Sequence, residues 1–118
     1  MKDVTAQYFT HKVFILGERK QDDTVAFFFP YLGDVEKIHY IRKGCGCTDA
    51  YFEDGYVKGH IELAKAGNYK EGSNSVNKYI TVMMDPEVEE VQPDDKLRWV
   101  VNPEKTFCRL QIAATVTI

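Results

Sequence analysis

"FCRLQIAATVTI", residues 107 to 118, decides the fold. Cys108, Leu110, Ile112, Ala114, Val116 and Ile118 alternate with Phe107, Arg109, Gln111, Ala113, Thr115 and Thr117. Residues two apart in a strand project to the same face, so this order predicts a half-buried β-strand with Cys108 on its apolar side. A helix would instead repeat its apolar residues at i, i+3, i+4 and i+7, and no segment of the chain keeps that stripe for three turns.

Outward from this strand, apolar runs of similar length predict further strands over residues 4–9, 12–16, 24–31, 35–42, 56–64, 77–84 and 96–101. Between them stand turn signals such as "GERKQDD", "LGD", "EDG", "KAGNYKEGSNS" and "NPEK". Short strands separated by turns, with no convincing helix, predict an all-β, antiparallel β-sandwich. With 118 residues the chain is expected to form a single domain.

Composition narrows the class of function. A chain 44% hydrophobic, with seven Phe and seven Tyr, builds a core and favours strands. The net charge of -3, with no dense Lys/Arg block, gives no general attraction to nucleic acid or to an anionic membrane. The longest apolar run near the N-terminus is residues 13–16, too short for a signal peptide or a membrane span. The expected location is therefore the cytoplasm, where thiols stay reduced, and three cysteines are not read as a disulfide framework.

The cysteine step "CGC" at Cys45 to Cys47 admits three readings. In an extended strand its Cα atoms would lie about 6.5 to 7 Å apart, at or beyond the reach of a disulfide, and a bridge would need a tight turn that Gly46 permits. The first reading is architecture: two small side chains at a bend made possible by Gly44 and Gly46. The second is a metal site, for which Cys45 and Cys47 are the candidate ligands with Cys108 and a histidine to complete a tetrahedron, although Cys-x-x-Cys is the usual spacing. The third is a redox pair, without the helix N-terminus that usually depresses a thiol pKa.

Over residues 9–84 the chain resembles a bacterial family of uncharacterised Ig-like domains, related to the MSP and ASH β-sandwiches, that carries a Ser-Cys-Gly-Cys-Thr signature after its third strand. The matching residues are "FTHKVFILGERKQDDTVAFFFPYLGD", Ile38, Ile41, "CGCT" at Cys45 to Thr48, and "NKYITVMMD". Gly44 stands where the family has Ser, and Tyr31 where it has Asn. The resemblance implies an immunoglobulin-like β-sandwich of seven to eight strands and brings no established activity.

Three stretches are candidate contact surfaces. In "AFFFPY", Phe27 and Phe29 share one face while Phe28 takes the other, so one sheet face cannot bury all three, and Pro30 points to a strand end or edge. Gly72, Ser73 and Asn74 lie in a long polar segment that reads as a loop, and Glu89 and Glu90 in an acidic, proline-bearing excursion. With no catalytic cluster or phosphate loop in view, the expected function is a non-enzymatic structural or interaction module without a cofactor. The closest analogy is an accessory, decoration-type subunit of a multi-copy assembly such as a bacteriophage capsid or tail, bound to the major capsid or tail protein within the virion. The alternatives are a redox- or metal-handling protein using Cys45 and Cys47, and a carbohydrate-binding module stacking sugars on Trp99, Tyr51, Tyr56 and Tyr69. Trp99 itself reads more readily as a core plug.

Overall fold

The C-terminal alternation forms the longest strand of the protein. In the computed structural model, which describes residues 2–34, 37–38, 40–84, 88–91, 98–101 and 106–118, it is β10, Thr106–Thr117. The elements before it are β1 (Lys2–Asp3), α1 (Thr5–Tyr8), β2 (Val13–Arg19), β3 (Thr24–Pro30), β4 (Tyr40–Lys43), β5 (Thr48–Glu53), β6 (Tyr56–Glu62), a 3-10 turn (Leu63–Lys65), β7 (Ser73–Met83), β8 (Val88–Val91) and β9 (Arg98–Val101). Strands β8 and β9 are described by their backbone.

β10 pairs antiparallel with β7 from Phe107 opposite Met83 to Thr117 opposite Ser73, and β4 pairs with the far edge of β7. Its other edge is taken first by β1 and then by β2. A second sheet has the order β3-β6-β5, and β8 pairs with β9. The protein is thus an all-β sandwich. Leu110, Ile112, Ile80 and Val82 from the first sheet meet Phe27, Phe29, Val57 and Ile61 from the second, and these eight are essentially without solvent exposure. Cys108 is fully buried among them, on the face that the alternation predicts; Ile118, the last residue of that series, is exposed.

Four features differ from the expectations. Residues 4–9 are not a strand: the Asp3 carboxylate accepts hydrogen bonds from the Thr5 amide, at 2.9 Å, and from the Thr5 hydroxyl, and this turns the chain into α1. The Thr5 hydroxyl accepts the Arg109 amide at 2.9 Å, satisfying β10 where neither β1 nor β2 reaches it. Second, β1 and β2 run parallel to β10, which strands so far apart in sequence are free to do because no hairpin joins them. Within that pairing a bulge after Ile15 turns Leu16 into the core and takes Gly17 to φ 73°.

Third, β5 was not among the expected strands. The turn Asp54-Gly55 joins it to β6 with both residues at positive φ, 53° and 83°, as a two-residue hairpin turn requires. Fourth, the polar segment at Ser73 to Val76 is strand, extending β7 four residues beyond its expected start. The acidic excursion likewise contains a strand, β8, which pairs antiparallel with β9, Glu89 opposite Val100 and Glu90 opposite Trp99. Of the expected strand at 35–42, residues 40–42 are strand in β4, Lys37 and Ile38 are not, the Lys37 amide donating to the Asp34 carbonyl at 3.0 Å, and residues 35, 36 and 39 lie outside what the structure describes, as does the side chain of Trp99. Among the described residues, no helix is long and apolar enough to cross a membrane.

Candidate functional site

The "CGCT" step is the passage from one sheet to the other. β4 ends at Lys43 in the first sheet, β5 begins at Thr48 in the second, and the residues between them form a turn. Thr48 holds that turn twice, donating from its amide at 3.3 Å and from its hydroxyl at 3.1 Å to the carbonyl of Cys45. The Cys47 carbonyl accepts the Glu62 amide at 2.8 Å, which fixes the turn against the end of β6.

This geometry brings the Cα atoms of Cys45 and Cys47 to 5.1 Å, and the two are joined by a disulfide. The expectation of reduced thiols is corrected here. That expectation rested on a cytoplasmic location; the bridge itself forms through the tight turn that it needs, which shortens the separation into disulfide range. Gly46 makes the turn without leaving the ordinary negative-φ region, and a Cβ built on it meets nothing within 4 Å, so its part in the bend is not a steric need for glycine. The two sulfurs differ in setting. Cys47 is packed in the core at 2% exposure, while Cys45 lies at the core's margin and accepts the Cys47 amide on its Sγ at 3.1 Å. As disulfide partners they offer no thiolate to a metal. Cys108 is a free, fully buried thiol whose pKa is pushed up to about 12 by desolvation and, to a lesser degree, by the charge of Asp3. Among the described residues no group of three His, Cys, Asp or Glu side chains is gathered closely enough to hold a metal ion.

The outer face of the second sheet is the other concentration of unusual residues. The three phenylalanines divide between two faces as their alternation predicts, but Phe27 and Phe29 enter the core and are corrected as contact candidates, while Phe28 faces outward with 53% of its surface exposed. Across the sheet Phe28 lies opposite Lys58 and Lys58 opposite Tyr51, while Pro30, Tyr56 and Glu53 form the neighbouring row. Lys58 is held by Glu53 at 3.0 Å, an interaction that raises its pKa, and passes 6.0 Å from the centre of the Tyr51 ring. Phe28 meets Phe14 edge-on at 5.2 Å and Tyr56 at 6.0 Å with their planes at 82°. This patch was only partly legible beforehand, because its other half depends on β5; the Asp54-Gly55 dipeptide was the available signal for that hairpin.

The remaining candidate residues lie elsewhere. Asn74 spends its side chain on a clasp, donating to the carbonyls of Lys70, Gly72 and Val116 and accepting the Lys70 amide. Gly72, at φ 101°, exchanges backbone hydrogen bonds with Ile118. Ser73 and Asn74 open β7 in the first sheet, whereas Glu89 and Glu90 lie in β8, which pairs with β9 and belongs to neither sheet of the sandwich. These residues and Phe28 therefore do not make one surface. Of the four rings considered for sugar stacking, Tyr51 and Tyr56 share the Phe28 face. Tyr69 instead donates its hydroxyl to the Leu63 carbonyl at 2.6 Å.

No protein family, no curated protein and no solved structure matches the chain.

Proposed function

We propose that this chain is a non-enzymatic Ig-like interaction module that docks through the outer face of its β3-β6-β5 sheet as an accessory subunit of a multi-copy assembly, such as a bacteriophage capsid or tail. The strand order supports the Ig-like reading: β3-β6-β5 over β10-β7-β4 matches the B-E-D and G-F-C sheets of that fold. The "CGCT" resemblance, which places the signature after the third strand of such a domain, points the same way.

One observation carries the docking reading. Phe28 exposes 53% of its surface although the same strand buries both neighbouring phenylalanines, and its partners on the face are Tyr56, Tyr51 and the aliphatic stem of Lys58. Exposed aromatic side chains are the residues that anchor protein contacts, since rings supply area at low entropic cost, and the Lys58–Glu53 pair within the same face would fix register. In a multi-copy assembly each such contact is modest and repetition supplies the strength.

The experiment is a light-scattering mass measurement of wild type and Phe28→Ser, alone and mixed with particles from the source. Phe28 is already half exposed, so the substitution is expected to cost about 2 kcal/mol or less of folding stability and leave a folded chain. Wild type should join the large species while Phe28→Ser stays free. Equal incorporation of both proteins, or a wild type that stays a free monomer, would overturn the reading.

A further inference from the structure

We propose that the Cys45–Cys47 disulfide is an exchangeable site for a dithiol partner, with Cys45 Sγ as the sulfur that is attacked. This inference is independent of the docking face, from which it differs in both residues and chemistry.

Three observations carry it. The bond links residues only two apart, and the turn around it is also held by other means: both Thr48 hydrogen bonds to the Cys45 carbonyl and that of the Glu62 amide to the Cys47 carbonyl are made by groups other than the sulfurs. A disulfide that the fold does not need is free to open and close. The two sulfurs are also unequal in access. Cys47 is sealed in the core at 2% exposure, so an incoming thiolate meets Cys45. Finally, the Cys47 amide donates to Cys45 Sγ at 3.1 Å, the contact that favours a thiolate on that atom. Cys108 does not compete, being fully buried on the core face of β10.

The exchange balances in two steps. A thiolate of the partner attacks Cys45 Sγ and forms a mixed disulfide; the Cys45–Cys47 bond breaks, and its electron pair leaves on Cys47 Sγ, which takes a proton. The partner's second thiolate then attacks the partner sulfur of the mixed disulfide, and Cys45 leaves as the thiolate that the Cys47 amide accommodates before it too is protonated. The partner dithiol is oxidised to a disulfide by two electrons, and the protein gains two thiols. In the reverse direction the Cys45 thiolate is the nucleophile.

The test uses the full chain without denaturant. Dithiothreitol treatment followed by limiting alkylation and peptide mass mapping should label Cys45 first, Cys47 later and Cys108 not at all, with the circular dichroism of the folded state retained. In parallel, oxidised glutathione should modify Cys45 in the Cys47→Ser variant roughly tenfold or more faster than it modifies Cys47 in Cys45→Ser, as their exposures require. Reduction that occurs only in denaturant, equal labelling of the two cysteines, or loss of the folded spectrum on reduction would each overturn the proposal. The wild-type mapping decides the matter even if a serine variant fails to fold.

Discussion

Reduction of the Cys45–Cys47 bond should lower the melting temperature by a few degrees and leave the sandwich folded. The magnitude follows from the ring the bond closes. With three residues in the loop, chain-entropy reasoning gives about 5.4 cal/mol/K, or about 1.6 kcal/mol at 25 °C. A chain of 118 residues gains about 0.25 kcal/mol/K on unfolding, so the loss corresponds to about 6 °C. Against a total stability of about 6 to 18 kcal/mol for this length, the reduced protein remains native. The assay is a pair of thermal melts, followed by circular dichroism, with and without tris(2-carboxyethyl)phosphine, and thiol counting before each melt to establish the redox state. A fall of more than about 15 °C would mean that the bond staples the two sheets together, and that the Thr48 and Glu62 hydrogen bonds do not hold the turn without it.

Two further substitutions test the packing around this passage, and one pH series tests the buried thiol. Gly59→Ala in β6 would place a Cβ 1.8 Å from the carbonyl oxygen of Asp49 in the neighbouring strand, a clash with backbone that no rotamer relieves, and should cost about 3 to 5 kcal/mol in urea denaturation. Gly46→Ala, which meets nothing, should stay within about 0.5 kcal/mol of wild type; the opposite ranking would refute the placement of β5 against β6. Cys108 has a folded pKa of about 12, above its ordinary value, so between about pH 9 and pH 12 the unfolded chain releases a proton that the folded chain keeps. Stability from this group is therefore complete below about pH 9 and is lost as pH rises, and Cys108→Val should flatten the decline in urea midpoint over that range. Tyr31, raised to about 12 mainly by burial, contributes the same sign of slope and should remain in the variant.

The sandwich was legible in the sequence wherever one strand's own alternation sufficed. Cys108 to Val116 and the split between Phe27, Phe28 and Phe29 could be assigned to faces because period two is a property of the backbone, independent of what covers it. Which of those two faces is covered did not follow from the rule, and only the packing of the second sheet against the first leaves Phe28 outside. Local periodicity did not reach β5, whose apolar residues are few and whose existence rests on a hairpin turn and on pairing with β6. Nor did it reach α1, which depends on Asp3 and Thr5 engaging each other and the backbone of Arg109, more than a hundred residues away.

The cysteine step shows the same division. An expected cytoplasmic location predicted reduced thiols, and residue spacing put the sulfurs at or beyond disulfide reach unless the chain turns tightly at Gly46, which the local sequence does not decide. The turn exists because β4 and β5 belong to different sheets, so the backbone must change direction between Lys43 and Thr48. That requirement comes from strand pairing across the whole domain. The sequence by itself determined which side chains share a strand face and that one face could not bury all three phenylalanines; the tertiary structure decided which strands became neighbours, and through that the disulfide and the aromatic face, since both depend on contacts between segments that no local pattern relates.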